Sequence, residues 1–354
     1  MRRINYRTIC SVLLLFILML ACGGAGSVAT EAPTTVTGTE ESTPPTEVSI
    51  QHNDIPVNLP ADQSGESGDF DSSKVLSNGS LVGGDRFTFG RFERPFNANT
   101  MDIYFSDLDI VGTQVFQDDI WIYANIVLRE LTATSSANQR YAVEIDSNVN
   151  GKGDWLILSL KPATTDWAVT GVQVFQDSNA DVGLELPTLT DEGAIGISDG
   201  FETKVFDQGQ GNDPDTAWVR ISPNNPNVIE FAIKKSVIGT PQRYLVGVWA
   251  GTALLDPSLF DLNDSFTHEQ AGASDAGLTN FYPIKQVAEI DNSCRIAVGF
   301  QPTGQEPGLC ETFTPQVDSP SGCQATVQQI LACNLNPYGT WNAGTCSCDL
   351  VIPG

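Results

Sequence analysis

Positions 146–154 read Asp-Ser-Asn-Val-Asn-Gly-Lys-Gly-Asp, a run in which oxygen-bearing side chains alternate with other residues. Asp146, Asn148, Asn150 and Asp154 stand at the first, third, fifth and ninth places, with Gly151 at the sixth. Alternate oxygens on a tight bend can converge on one hard cation, and a glycine lets the bend close. Lys152, at the seventh place, would add its backbone carbonyl. A second run, Asp177-Ser178-Asn179-Ala180-Asp181-Val182-Gly183, repeats the first three oxygen positions through Asp177, Asn179 and Asp181. All these ligands are oxygens, which suits Ca2+ in a structural role. The same residue types also form ordinary turns.

The first run matches nine places of the EF-hand calcium loop, whose twelfth place is Glu. Here that place is Ile157, and strands rather than helices flank the loop. A second chemistry is suggested by Trp121, Tyr123 and Asn125, which fall on one face of an alternating segment. Two rings beside an amide could stack on a sugar and hydrogen-bond its hydroxyls. The alternative is that the rings are core, since two-layer β proteins bury Trp readily. Catalytic signals are sparse. Only His52 and His268 occur, neither in a motif, which argues against a Ser-His-Asp triad. The 43 acids leave a carboxylate-pair hydrolase open.

The elements that must position these residues are strands. Residues 120–128 alternate, with Ile120, Ile122, Ala124, Ile126 and Leu128 on one face. Residues 141–145 and 228–234 do the same, the latter with Ile229, Phe231 and Ile233 inward. Residues 155–160, 171–176, 217–221 and 244–249 read as further short strands. A period of two with one apolar face indicates half-buried antiparallel strands, and many of them between Gly/Asn/Asp/Pro clusters indicate a β-sandwich. If 155–160 and 171–176 form a hairpin, both Asp/Asn loops lie at one end of the sandwich. Asp207, Asp213 and Asp215 read as a solvated loop.

Ahead of the sandwich, Arg2, Arg3 and Arg7 precede an apolar stretch of about a dozen residues, short of the roughly 20 needed to span a bilayer. Ala21-Cys22 follows, and the arrangement resembles a bacterial lipoprotein signal in which Cys22 is acylated. Cleavage after residue 21 removes three arginines and no acid, taking the formal net charge from −25 to −28. A chain so acidic repels phosphate and is not expected to bind nucleic acid. Residues 22–68, rich in Thr, Ser, Glu, Pro and Gly and free of Lys and Arg, read as a disordered tether. The sandwich then runs over 69–292 and a cysteine-rich tail over 293–354. Cys294, Cys310, Cys323, Cys333, Cys346 and Cys348 in an exported chain suggest three disulfides, with a cysteine-only zinc site as the rival. Residues 325–333 could form a short helix.

Residues 228–233, followed by Val237-Ile238-Gly239 and the strand at 244–249, resemble a recurring stretch of DOMON-like and family-nine carbohydrate-binding sandwiches. Residues 118–123 resemble their early core strand, and 141–154 a strand running into a metal loop. The resemblance covers roughly residues 85–290 and implies the fold; those families include sugar binders, haem binders and modules of unknown ligand. Haem binders among them use Met and His, of which the domain holds only Met101 and His268. The layout also resembles bacterial lipoproteins in which such a sandwich follows a low-complexity tether. Residues 339–348 resemble small cysteine-rich modules. The combined expectation is an antiparallel, jelly-roll-like β-sandwich with a small cysteine-rich tail, lipid-anchored on the extracytoplasmic face of the membrane. It would be calcium-stabilised and bind an extracellular glycan without catalysis. A glycan hydrolase, or a structural or adhesion protein contacting another envelope protein, are the alternatives.

Overall fold

The computed structural model describes residues 50–74, 90–98, 103–131, 138–183, 198–260, 266, 287–304, 306 and 308–310, and the backbone of 339–342 and 347–350. Two antiparallel sheets pack face to face. The first has five strands in the order β1 (Gln63–Gly68), β3 (Ile110–Gln117), β4 (Trp121–Leu128), β11 (Val228–Lys234) and β10 (Ala217–Ile221). The second runs β2 (Glu93–Arg94), β13 (Ile290–Asn292), β12 (Tyr244–Gly251), β5 (Arg140–Asp146), β6 (Trp155–Leu160), β7 (Val172–Gln176), β8 (Thr203–Asp207) and β9 (Gln210–Gly211), with β14 (Ile296–Val298) also pairing β12. A hairpin of β15 (Gly339–Asn342) and β16 (Ser347–Leu350) lies in the tail.

The alternation sorts side chains as the sequence requires. Ile122, Ala124, Ile126 and Leu128 face Tyr141, Val143, Ile145 and the inner row of β12 across the sandwich. β4 starts one residue later than its apolar pattern, and Ile120 is 45% exposed in the turn before it. Strand β12 is buried along its whole length, because both faces of its sheet are covered. Trp249, Leu156, Phe201 and Phe260 form a second apolar layer on the outer face.

Trp121, Tyr123 and Asn125 do point away from the main core, but they form no exposed platform. Their exposures are 3%, 1% and 3%. Trp121 and Tyr123 pack with Trp218, beneath Leu59 and Trp167. The cover is the segment ahead of β1. Val57 O accepts from Trp167 Nε1 (3.0 Å), and the Arg220 guanidinium lies 4.2 Å over the Trp167 ring. Asp215 anchors the start of the segment, accepting from His52 Nδ1 (2.7 Å) and from the N–H groups of Asn53 and Asp54 (both 2.8 Å). Lys234 pairs with Asp54 (2.6 Å) and Asp213 (2.7 Å). Asp215 is thus a buried anchor and not part of a solvated loop. The expected tether likewise ends earlier than residue 68, since residues 50–62 dock on the sheet and Gln63–Gly68 is a strand. At the other end, Ile296–Val298 pairs with β12, so the sandwich extends past residue 292.

Cys294 and Cys310 are disulfide-bonded. Cys323, Cys333 and Cys346, the expected helix at 325–333, Met101, His268 and the whole of residues 1–49, Cys22 included, lie outside the described residues. No helix among the described residues is long and apolar enough to cross a membrane. Because Trp121 is packed and not presented, Trp121→Ala is expected to destabilise the fold by about 3–5 kcal/mol, while Ile120→Ala stays within about 0.5 kcal/mol. Urea unfolding of the two variants measures the contrast.

Candidate functional site

The two Asp/Asn loops adopt one backbone plan. The Asp146 carboxylate caps its own loop: Oδ1 accepts from the N–H groups of Asn148 (3.2 Å), Val149 (2.6 Å) and Asn150 (3.3 Å), and Oδ2 from Gly151 (2.7 Å). Asp177 does the same, with Oδ1 taking Ala180 (2.7 Å) and Asp181 (3.3 Å) and Oδ2 taking Val182 (3.0 Å). Three residues after each Asp, the chain turns left-handed at a non-glycine residue, with φ 62° at both Val149 and Ala180. That conformation is costly for a β-branched Val, so the capping bonds must hold it. Gly151 (φ 89°) and Gly183 (φ 77°) complete the bends.

The remaining oxygens gather around these caps. Asp154 accepts from Ser147 N–H and Oγ (both 2.6 Å) and from the Asn148 amide (2.8 Å), while Asn150 accepts from the Lys152 N–H (2.8 Å). In the second loop Asp181 accepts from Asn179 Nδ2 (3.1 Å) and Ser198 Oγ (3.0 Å), and Asn179 also donates to Asp199 (3.0 Å). Asp199, Ser198 and Glu202, which accepts from the Ser178 N–H (2.9 Å), come from a segment that sequence spacing did not connect to the loop. The β6–β7 register sets Trp155 opposite Gln176, and the Asp177 N–H donates to Asp154 O (3.1 Å). The loops therefore abut, at one end of the sandwich.

A buried brace holds the first loop from behind. Arg295, next to the disulfide, pairs with Glu144 (2.7 Å) and donates to Gly151 O, while Trp249 Nε1 donates to Glu144 (2.9 Å). Gly153 is required here: a Cβ would lie 2.4 Å from Glu144 Oε1 and 2.8 Å from the Phe201 ring. Burial raises the Asp146 carboxyl above its ordinary range, opposed by the Gly151 N–H, Arg295 and the Val149 N–H. Burial raises Asp177 likewise. Among the described residues no three His, Cys, Asp or Glu side chains form a ready ligand set. Each loop offers two acids, Asp146 with Asp154 and Asp177 with Asp181. Further ligands would be amide and carbonyl oxygens, the donor set calcium accepts.

The opposite end carries groups that no spacing in the sequence linked. Asp69, Glu93, Asp109 and Asp291 are neighbours from distant parts of the chain. Burial lifts Asp69 to about 6 and Asp109 to about 7, and pushes Glu93 and Asp291 well above the usual range. Tyr104 donates its hydroxyl to Asp109 and helps to line an open pocket of about 430 Å³. Arg129, Glu130, Asn227, Ser73 and Ser106 complete the lining.

No family model matches this chain, and neither the curated proteins nor the solved structures include a significant match.

The raised carboxyls set a direction for pH dependence. Between their ordinary value near 3.8 and the folded values of about 6 and 7, the folded state holds protons that the unfolded chain has released, so stability falls as pH rises through that window. Asp215, where two N–H groups and His52 outweigh burial, and Asp207, held by Lys204, are shifted down and lose stability only on the acid side. Metal-free protein is expected to melt higher at about pH 5.5 than at about pH 7.5. Calorimetry showing the reverse order contradicts this assignment.

Proposed function

We propose that this protein is an extracytoplasmic, lipid-anchored binding module that takes a carbohydrate without catalysis and is stabilised by calcium at its paired Asp loops. The observation that carries the reading is the repeated loop: Asp146 and Asp177 are fixed by backbone N–H groups in the same way, at abutting positions. Such caps hold a carboxylate in place and leave one lone pair on each Oδ2 for a cation, and calcium joins oxygens that otherwise repel. Its role would be to pin the β5–β6 connection and the exit from β7.

The ligand surface moves from the buried Trp121–Tyr123 face to the pocket beside Tyr104. An aromatic edge, a guanidinium, a carboxylate and an amide around an open concavity suit a polyhydroxylated ligand. Glu130 is the one carboxylate among the lining residues, whereas glycoside hydrolysis requires an acid pair; this favours binding over turnover. The resemblance to carbohydrate-binding sandwiches points the same way.

Calcium at 100 times its dissociation constant adds about 2.7 kcal/mol of stability. The thermal midpoint is therefore expected to drop on chelation and recover with calcium, and D146N/D177N to lose the part of that response that the two loops supply. An unchanged midpoint on chelation opposes the calcium assignment. On a glycan array, retention by the intact protein is expected to fall at least tenfold in Arg129→Ala, with no product released. Silence on the array removes the carbohydrate assignment.

A further inference from the structure

The four buried carboxylates at the far end arise where the two sheets meet. Asp69 directly follows β1 and Asp109 directly precedes β3, both in the five-stranded sheet, while Glu93 lies on β2 and Asp291 on β13 of the other. Asp291 Oδ2 spans the junction by accepting the Ile110 N–H (2.6 Å). Ser72 links two of the acids, its N–H to Asp109 Oδ1 (3.3 Å) and its Oγ to Glu93 Oε2 (3.5 Å).

Two oxygens in this group have no hydrogen-bond partner. Asp291 is wholly buried and its Oδ1 is unmet; Asp69 shares a side-chain hydrogen bond with Glu93, and its Oδ2 is buried with no further donor. Buried carboxylate oxygens are ordinarily satisfied, because leaving one bare in the interior is costly. Here both bare oxygens belong to a set of four acids, where mutual repulsion adds to that cost. Arg91 offsets part of the repulsion at Asp69, yet neither bare oxygen is bonded to any donor.

We propose that this cluster is a second divalent-cation site, of the calcium class, in which Asp291 Oδ1 and Asp69 Oδ2 are the first two ligands and Glu93 and Asp109 complete the carboxylate set. An all-oxygen, carboxylate-rich shell selects a hard cation over zinc or copper. The acids are neighbours and not yet converged on a common point. Closing them around an ion takes rotation of Glu93 and Asp109 away from Ser72 and Tyr104, on strands already fixed by pairing. The ion would bind the two sheets together at this end, and through Asp109 and Tyr104 it would adjoin the open pocket. The site lies at the opposite end from the Asp146 and Asp177 loops and does not depend on their binding calcium.

Isothermal titration of the full chain in detergent micelles, stripped of divalent ions and titrated with CaCl2 near neutral pH, tests this. In the loop-silenced variant D146N/D177N one saturable calcium event is expected to remain. Adding Asp291→Asn is expected to abolish it, and adding Asp69→Asn instead to weaken it at least tenfold. Strand circular dichroism checks the fold of each variant; should the Asp291 variant not fold, the partly exposed Asp69 position decides. Absence of any event in D146N/D177N, or an event unchanged by the Asp69 and Asp291 substitutions, overturns the site. So does a cluster that only takes up protons, seen as no calcium heat together with a melting temperature that rises on acidification and loses that rise in Asp291→Asn.

Discussion

Two carboxylates, Asp146 and Asp177, each gather the N–H groups of their own following residues, and the ordered end of the sandwich depends on that capping. Without it Val149 and Ala180 have no reason to sit in the left-handed region, where a side chain clashes with its own backbone. With it, the chain turns sharply out of β5 and out of β7 and brings Asp154 and Asp181 back beside the capping acids. The cost is charge: four carboxylates concentrated in two touching loops, of which Asp146 and Asp177 are largely buried. Backbone N–H groups at both caps, and Arg295 at the first, offset part of this, which is why the loops hold their shape.

The brace behind the first loop extends this constraint into the core. Arg295 rests over Gly247, pairs with Glu144 on the neighbouring strand and reaches Gly151, so a single buried cation links β14, β5 and the loop. Removing either partner of such a buried pair leaves an uncompensated charge, a loss of about 3–5 kcal/mol. The Cys294–Cys310 disulfide, closing a separation of 16 residues beside Arg295, limits how far this segment can depart. A comparable pair, Arg220 with Glu230 at 2.6 Å, joins β10 to β11 on the outer face of the other sheet, under the segment that precedes β1. Both sheets thus carry a buried ion pair on a face that periodicity alone would assign to solvent.

That contrast marks what the sequence made legible. Alternation identified β4, β5 and β11 and their inward rows, because side-chain direction in a strand has a period of two regardless of what lies above it. The paired loops were legible for the same reason: spacing on a tight turn is local. What alternation cannot report is which outward faces are covered. Residues 50–62 carry no periodic pattern, and only the ring contacts of Trp167 and Trp218 and the anchoring by Asp215 reveal that they lie on the sheet. Alternation places Trp121 and Tyr123 on the outward face, and of the two readings of that face the structure bears out the covered rings and not an exposed stacking platform. The meeting of Asp69, Glu93, Asp109 and Asp291 was further from view, since those acids are brought together by sheet closure across more than 200 residues. The short Asp107-Leu108-Asp109-Ile110 run, placing two acids beside apolar residues at a strand start, is a local sign that carboxylates enter the interior.

The cation proposed for the Asp146 loop has a ready reporter in Trp155, next to Asp154. Terbium occupies calcium sites and emits when excited through a nearby indole, so sensitised luminescence reads occupancy of this loop directly. Emission is expected to saturate on titration, to be displaced by calcium but not by magnesium at equal concentration, and to fall in Asp146→Asn with the fold intact. Emission that stays at the level of free terbium, or that survives Asp146→Asn unchanged, would contradict the cation site at this loop.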